Sequence, residues 1–579
     1  MYSRMISKLF RIYTMKQFGI NASMLRLMCL IFLVCTFMFA NGQSSMGGIE
    51  RADYLSNFAK KYLEEGNYNK AVDYEQQSMN IIGTIYGENS IEYASSAIIL
   101  SHYMYLRGCY GSSNKELADN SFGMAIKNLK IAMTFYNAVL YGFEKLNPKE
   151  KYLLWQKVCP LYDRLFPCYV AKFPTDSLVA DLYNSVLFSK GATWRHKGDA
   201  KKTDWREIQR AINPNDLVIE FISPVDLDEE NIIFYALLLT SSKPPRMLKL
   251  FDIIQLNKVL GNAESKFEKD LEIGKLIWGN LKKELNGIDN VYFSASHVFH
   301  NIPFEYSPID INSYYSEKFN MYRLSSTLEL TSHRNRPQYN TAVLYGGLEY
   351  DSYTRNNVGR FVSRAGLERL YNTDVEVDEI SKILRNRNIK CTLLKGAEGT
   401  ESSFRNLPGK SIDILHLSTH GKSERVVDSV KYSTEDNALL HSYLALSGAN
   451  KSLMYPSTDK KDDGIITALD ITQMNFNSID VVCMSACESA LGTYSDDDGI
   501  LGLQKGFKVA GANTLLMSLG KVDDEATRIL MVEFYRNLMD GKTKLQSLRN
   551  AQKYLRNVEN GKYDDPKYWA SFIMLDGIN

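Results

Sequence analysis

The sequence lacks a charge bias. Lys plus Arg number 68 against 67 Asp plus Glu, and no long basic run interrupts the 579 residues, so the electrostatic footprint of a nucleic-acid-binding chain is missing. No CxxC pair and no Cys/His set with zinc-ligand spacing occurs, which argues against a structural zinc site. The eight cysteines are too few for a disulfide scaffold in a chain of this length, and Cys29 and Cys35 fall in a leader-like segment. Cys159 and Cys168, in CPLYDRLFPC, are spaced so that a bridge is open to them but not demanded. No glycine pattern of a phosphate loop is complete: Gly499, Gly502 and Gly506 do not make G-x-G-x-x-G, and Gly541-Lys542-Thr543 lacks the earlier glycine. The aspartates Asp462 and Asp463 have no calcium-loop spacing.

No apolar run reaches the roughly 20 residues of a membrane span. The run that comes nearest is LMCLIFLVCTFMFA, Leu27 to Ala40, preceded by Arg4, Lys8, Arg11, Lys16 and Arg26 and followed by NGQSS. A basic region, a short hydrophobic region and small residues define a secretory leader over 1–42 with cleavage after Gly42, in preference to an uncleaved anchor. Met15 and Met24 are alternative starts. The expectation is an exported protein, periplasmic, surface-bound or secreted, whose only membrane contact is that leader.

What remains is globular in composition, with 45% hydrophobic and 23% charged residues, and long enough for two to four domains. Residues 43–204 read as helical. Within KKYLEEGNYNKAVDYEQQSMNI, the positions Tyr62, Gly66, Tyr68, Ala71 and Tyr74 fall where a helix-turn-helix repeat places packing aromatics, a tight-turn glycine and a small contact residue. YASSAIILSHYMYLRGCY repeats the pattern with Ala94, Tyr103 and Gly108, and AIKNLKIAMTFYNAVLYGFEKL, from Ala125, is a degraded third copy. The segment resembles the tetratricopeptide family with a period longer than the usual ~34 residues. Such repeats offer a concave face for a peptide or a protein regulator and carry no chemistry of their own. A generic helical bundle is the plainer alternative.

From 205 the period changes. WREIQRAI reads as a helix, LVIEF and IIFYALLL as strands with MLKLF as a third, and NVYFSASHVFHNIPFEYSP as a strand running into a loop. Over 336–579 strands and helices alternate: TAVLYGG, VEVDEISKILRNR, IKCTLL, ESSFRNL, IDILHLSTHG, IDVVCMSAC, GILGLQKGFKVAG, NTLLMSL, then two helices. Alternation of this kind implies a mainly parallel sheet sandwiched by helices, an α/β domain over 205–579 with a strand/helix part at 205–335. Sites in such sheets gather at the carboxyl ends of strands.

Two strand ends carry reactive side chains. IDILHLSTHG ends on His420 and Gly421, and IDVVCMSAC ends on Cys487. On adjacent strands these would share one rim, as a thiol–imidazole dyad requires: a thiolate needs a base or cation to form at neutral pH, and the leaving amine needs a proton. The N–H groups of Gly421 and Cys487 would serve a developing oxyanion. Taken singly, a strand cysteine and a strand-end histidine are more often core residues, and Cys483 and His416 are read that way.

HLSTHG, NALLHSYLALSGAN, DDGIITALDI, VVCMSACESALG and DGILGLQKGFKVAGANTLLMSLGKVDDEAT follow one another in the order and spacing of the CHAT domain, from about His416 to Trp569, with weaker likeness back to NDLVIEF. The resemblance is to a family grouped with caspases, separase, clostripain and gingipains, often fused to tetratricopeptide repeats. It implies a caspase-like α/β fold, a cysteine endopeptidase, His420 and Cys487 as the catalytic pair, Gly421 beside the oxyanion, and a protein or peptide substrate without metal or cofactor. Glu488, Gly492, Gly499 and Asp523 also match family positions. Where many relatives carry Trp after Ser-Leu, this chain has Gly520. Glu488, Asp498 and Asp523 are candidates for a substrate pocket, although acidic runs are more often solvated loops or helix caps. A non-catalytic interaction scaffold is the alternative function.

Overall fold

The structure, a computed structural model, describes residues 46–141, 154–155, 157–192, 204–225, 231–262, 265–311, 313–332, 338–351, 366–423, 439–454, 462–485, 493–495 and 499–578. The leader 1–42 lies outside these. Among the described residues no helix is long and apolar enough to cross a membrane. The chain divides into two compact units, one comprising Met1–Phe143, Lys157–Thr175 and Pro224–Ile233, the other Glu144–Gln156, Asp176–Ser223 and Phe234–Asn579.

The first unit is helical, with its long helices at Met46–Glu64, Tyr68–Tyr86, Ile91–Leu106 and Lys115–Tyr141. Each residue that marked the repeat has its physical counterpart. Gly66 turns the chain at φ +74°, a left-handed conformation that glycine adopts without strain. Asn67 then caps the second helix, its side chain accepting the Lys70 N–H at 3.2 Å. Tyr62 and Tyr74 stack across the pair with centroids 5.4 Å apart, and Ala71 is fully buried where the helices meet. In the second copy, a Cβ added to Gly108 would come within 2.6 Å of the Phe122 ring, so only glycine fits. Cys159 and Cys168 are both buried, and the Cys168 thiol lies 3.5 Å from the Tyr105 hydroxyl.

The second unit is built on strands. In chain order these are β1 Asp216–Ile222, β2 Ile233–Thr240, β3 Lys243–Asp252, β4 Asn290–Ser294, β5 Pro308–Asp310, β6 Ser313–Tyr314, β7 Asn320–Leu324, β8 Thr341–Leu348 and β9 Lys390–Gly396. There follow β10 Ile414–Leu417, β11 Gly421–Ser423, β12 Ser442–Ala445, β13 Ile465–Thr467, β14 Val481–Met484, β15 Thr493–Ser495, β16 Gly499–Leu501, β17 Thr514–Ser518 and β18 Phe572–Leu575. Eleven form one sheet in the order β3-β2-β1-β4-β7-β18-β17-β14-β10-β8-β9. β11, β12 and β13 make a small antiparallel sheet, while β15 pairs with β16 and β5 with β6.

The large sheet has two halves. β1, β4 and β7 run parallel, and so do β9, β8, β10, β14 and β17. The strand between them, β18, is parallel to β7 and antiparallel to β17. The halves therefore point in opposite directions, and the carboxyl ends of β1, β4 and β7 lie on the rim opposite those of β10 and β14. β3 is an edge strand and contains both Pro244 and Pro245, which a central strand would not tolerate. The half containing β10 and β14 is packed with aliphatic side chains, Val481, Val482, Ile414, Leu415, Leu515 and Leu516 being fully buried. Runs without alternation belong to parallel strands covered on both faces.

Candidate active site

β10 and β14 are immediate neighbours, parallel and in register, with His416 opposite Cys483 and Leu417 opposite Met484. His420 stands three residues beyond Leu417, and Cys487 stands three beyond Met484 in the sequence. Cys487 itself lies outside the described residues, as do Glu488, Gly492 and Asp498. His420, Gly421 and Asp523 are described.

His420 is half-buried, and its environment is specific. Its Nε2 is 2.7 Å from the backbone carbonyl of Glu368. A carbonyl oxygen can only accept, so Nε2 carries the proton and Nδ1 of the neutral ring is left with its lone pair. The Tyr350 ring leans on the imidazole with centroids 5.0 Å apart, and the Tyr350 hydroxyl accepts the His420 N–H at 3.4 Å. Thr419 and Tyr350 share a hydrogen bond of 2.9 Å, and the His420 carbonyl accepts from Ala445 N–H at 2.9 Å. Gly421 opens β11 opposite Leu444, so the backbone leaving the histidine is fixed at once by a second sheet.

The segment bearing Glu368 is itself held. Asn450, buried in the helix Ala449–Met454, accepts the Leu367 N–H at 2.7 Å and donates to the Leu367 carbonyl at 3.0 Å, as a neighbouring strand would. It also donates to Asp351 at 2.8 Å. Nothing in the SGAN tetrapeptide announced this role. The carbonyl of Glu368 had no sequence signal at all, because it is backbone.

Asp523 is the N-cap of the helix Asp524–Met539; its carboxylate accepts the N–H groups of Glu525 and Ala526 at 3.1 and 2.9 Å. Its neighbour Asp524 is the acid that faces the histidine. Burial raises the Asp524 carboxyl above the ordinary aspartate range, the charges of Asp523 and Glu376 push it the same way, and His420 pulls it back. Gly520, at the end of β17, has no heavy atom within 4 Å of where a Cβ would sit. Among the described residues, none fills the place where many relatives are expected to carry Trp.

Below His420 the strands carry a buried polar tier. Side chains alternate along a strand, so His416 and Ser418 share one face. His416 is fully buried, with Nε2 at 2.9 Å from Glu376 and Nδ1 at 3.3 Å from the Tyr535 hydroxyl. Tyr535 also bonds the Cys483 thiol, which burial pushes up to about 12. A thiol so protected is inert, in keeping with the reading of Cys483 as a core residue. The hydroxyls of Ser418 and Ser485, one step nearer the rim, are buried without a hydrogen-bond partner among the described residues.

The family model of the CHAT domain matches residues 272–577, more than half of the chain. The chain belongs to the CHAT domain family. The match starts later than the likeness traced back to NDLVIEF. Tetratricopeptide repeat protein 28 of Mus musculus is 28% identical over 111 residues, covering 19% of this chain and only 4% of the mouse protein. Among solved structures, the Arg specific cysteine proteinase gingipain R, RgpB of Porphyromonas gingivalis, is 11% identical, covering 52% of this chain and 66% of that one at a TM-score of 0.32. The Saccharomyces cerevisiae separase–securin complex is 9% identical, covering 97% of this chain and 41% of that one at a TM-score of 0.40. The helical unit of this chain is tetratricopeptide-like, and its α/β unit has a mainly parallel sheet flanked by helices, as the motifs implied.

Proposed function

We propose that the CHAT unit is a cysteine endopeptidase in which His420 and Cys487 form the catalytic pair. The observation that carries this reading is the register of β10 and β14, which sets Leu417 opposite Met484 and so starts the two catalytic segments from level positions. Two further features support it. The Glu368 carbonyl fixes the tautomer of His420, leaving Nδ1 as the acceptor a general base needs, and β11 locks the backbone just after the ring.

In this mechanism Nδ1 takes the proton of the Cys487 thiol and the sulfur attacks the scissile carbonyl carbon. The N–H groups of Gly421 and Cys487 stabilise the oxyanion of the tetrahedral intermediate. As that intermediate collapses, the C–N bond breaks and the imidazolium returns its proton to the leaving amine. Water, deprotonated at the same nitrogen, then cleaves the thioester and regenerates the thiol. Asp524 lies where its charge stabilises the imidazolium between these transfers. Glu488, Asp498 and Asp523 are proposed to border the substrate pocket. The helical repeats present a protein substrate or a regulator, and the leader exports the chain to the periplasm, the surface or the medium.

The test is a fluorogenic peptide library offered to the purified full chain, with and without cell extract. Turnover that disappears in Cys487→Ala supports the peptidase. Turnover in neither condition, or turnover unchanged in that variant, overturns it in favour of a binding module. Mass spectrometry of the exported protein checks the leader; an N-terminus at residue 43 is expected.

A further inference from the structure

His416 is tied to more of the site than its burial requires. It sits on β10 four residues before His420, and its two ring nitrogens are held by two different helices: Glu376, from Tyr371–Arg385, at Nε2, and Tyr535, from Asp524–Met539, at Nδ1. Each of those helices begins next to the part of the structure that surrounds His420. Glu368, whose carbonyl holds the imidazole, lies three residues before the first helix begins, and Asp524 is the first residue of the second. The ring of His416 is therefore a joint between a strand and two helices, and all three meet again at His420. With Glu376 and His416 both under 2% exposed, the joint is dry and its geometry is set by hydrogen bonds rather than by water.

We propose that Glu376 and His416 are positioning residues for the catalytic histidine, acting by fixing the angle of the two helices against β10 and so the placing of the Glu368 carbonyl and the Asp524 carboxyl around the imidazole. This rests on the peptidase reading for its kinetic consequence, but not for its structural one. Losing a hydrogen bond at the joint lets both helix ends drift, and a displacement of about 1 Å at a reacting group costs roughly a hundredfold in rate. The effect belongs to kcat, because the substrate touches neither residue.

The experiment compares Glu376→Met, Glu376→Gln and, as a control, Tyr345→Phe in the full chain. Gln still accepts from His416 Nε2–H, whereas Met cannot. Tyr345→Phe removes another buried hydroxyl, one bonded to Ser403 at 3.2 Å on the opposite face of the sheet. The expected result is a fall in kcat of about 10–100-fold for Met with KM within twofold, recovery to within threefold of wild type for Gln, and no change in kcat for the control. Equal losses in Met and the control, a loss confined to KM, or no recovery in Gln would overturn the proposal. A second readout does not need turnover. In 1H–15N spectra of histidine-labelled protein, assigned with His420→Asn, His420 should show one tautomer with Nε2 protonated in the wild type and the Gln variant. Mixed or broadened signals are expected in the Met variant, and identical His420 signals in all three proteins would reject the joint. Tyr535→Phe, a milder cut, should show the same change in spectrum if Glu376→Met does not fold.

Discussion

The two rims of the large sheet use their strand ends in opposite ways. At the carboxyl ends of β1, β4 and β7 the buried charges of Glu220, Glu305, Lys190 and Arg323 are paired. Lys190 donates to the carbonyls of Phe221, Ser294 and Ala295 at 3.0, 3.3 and 2.9 Å and pairs with Glu220 at 2.8 Å. The other oxygen of Glu220 accepts both the N–H and the hydroxyl of Thr327 at 2.7 Å. Arg323, at the end of β7, grips Glu305 and the carbonyls of Phe299 and Ile302. Burial pushes His300 in this cluster well below the ordinary histidine range, and the nearby cations Lys190 and Arg323 push it further. The rim of β10 and β14 instead carries an imidazole held through one nitrogen and two hydroxyls without partners among the described residues. A rim whose buried charges are paired with one another serves the fold. One that holds an imidazole through a single nitrogen keeps the other nitrogen available for proton transfer.

That contrast can be broken by exchanging what each rim loses. His420→Ala should lower kcat/KM on the order of 10³-fold or more while shifting unfolding free energy by no more than about 0.5 kcal/mol; peptide kinetics with urea titration would check both. Arg323→Met should do the reverse, costing roughly 3–5 kcal/mol because Glu305 is left buried without its cation, with activity per folded molecule unchanged. An Arg323 variant that folds as well as wild type would erase the distinction between the rims.

The helical unit supplies an intermediate case, a buried carboxyl with no cation beside it among the described residues. Glu75 is 1% exposed, bonded only to Ser56 at 2.9 Å among its described partners, and burial pushes it up to about 7. Its folded value is above the unfolded one, so the folded state holds the proton more tightly. The contribution to stability is complete below about 4.5 and is lost as pH rises through about 7, amounting to roughly 3 kcal/mol at 1.36 kcal/mol per unit. Thermal melts between pH 4.5 and 8 should show this slope, and Glu75→Gln should flatten it. Cys483→Ala should cost about 1–2 kcal/mol with activity within twofold, and iodoacetamide should leave Cys483 unlabelled in the folded protein. Gly520→Ala, pointing into open space, should fall within about 0.5 kcal/mol of wild type.

The strands that pass through the core were legible because they are continuous apolar runs ending on glycine or small residues: TAVLYGG, IDILHLSTHG, IDVVCMSAC and NTLLMSL all became strands. So did the helix VEVDEISKILRNR, whose apolar positions recur at helical spacing. The short elements were not legible. β7, NMYRL, contains an arginine and an asparagine that look like loop residues until the partners of Arg323 are known. β18, FIML, follows two long amphipathic helices and is too brief to show a period. His420 could be singled out because its strand ends on His-Gly. The carbonyl that sets its tautomer could not, since a main-chain atom leaves no mark in composition, and Asp524 was hidden beside Asp523 in an acidic run where only the cap geometry tells one from the other.

β18 has a consequence for how the protein is made. Residues 572–575 close the gap between two blocks of sheet whose other strands emerge from the ribosome much earlier. Until they arrive, β7 and β17 are both raw edges, free to pair with the wrong neighbour. The nascent CHAT unit therefore passes through an interval in which β14 and β17 have been synthesised but the sheet that joins them to β7 is unfinished. The late insertion of four residues closes both edges in one event.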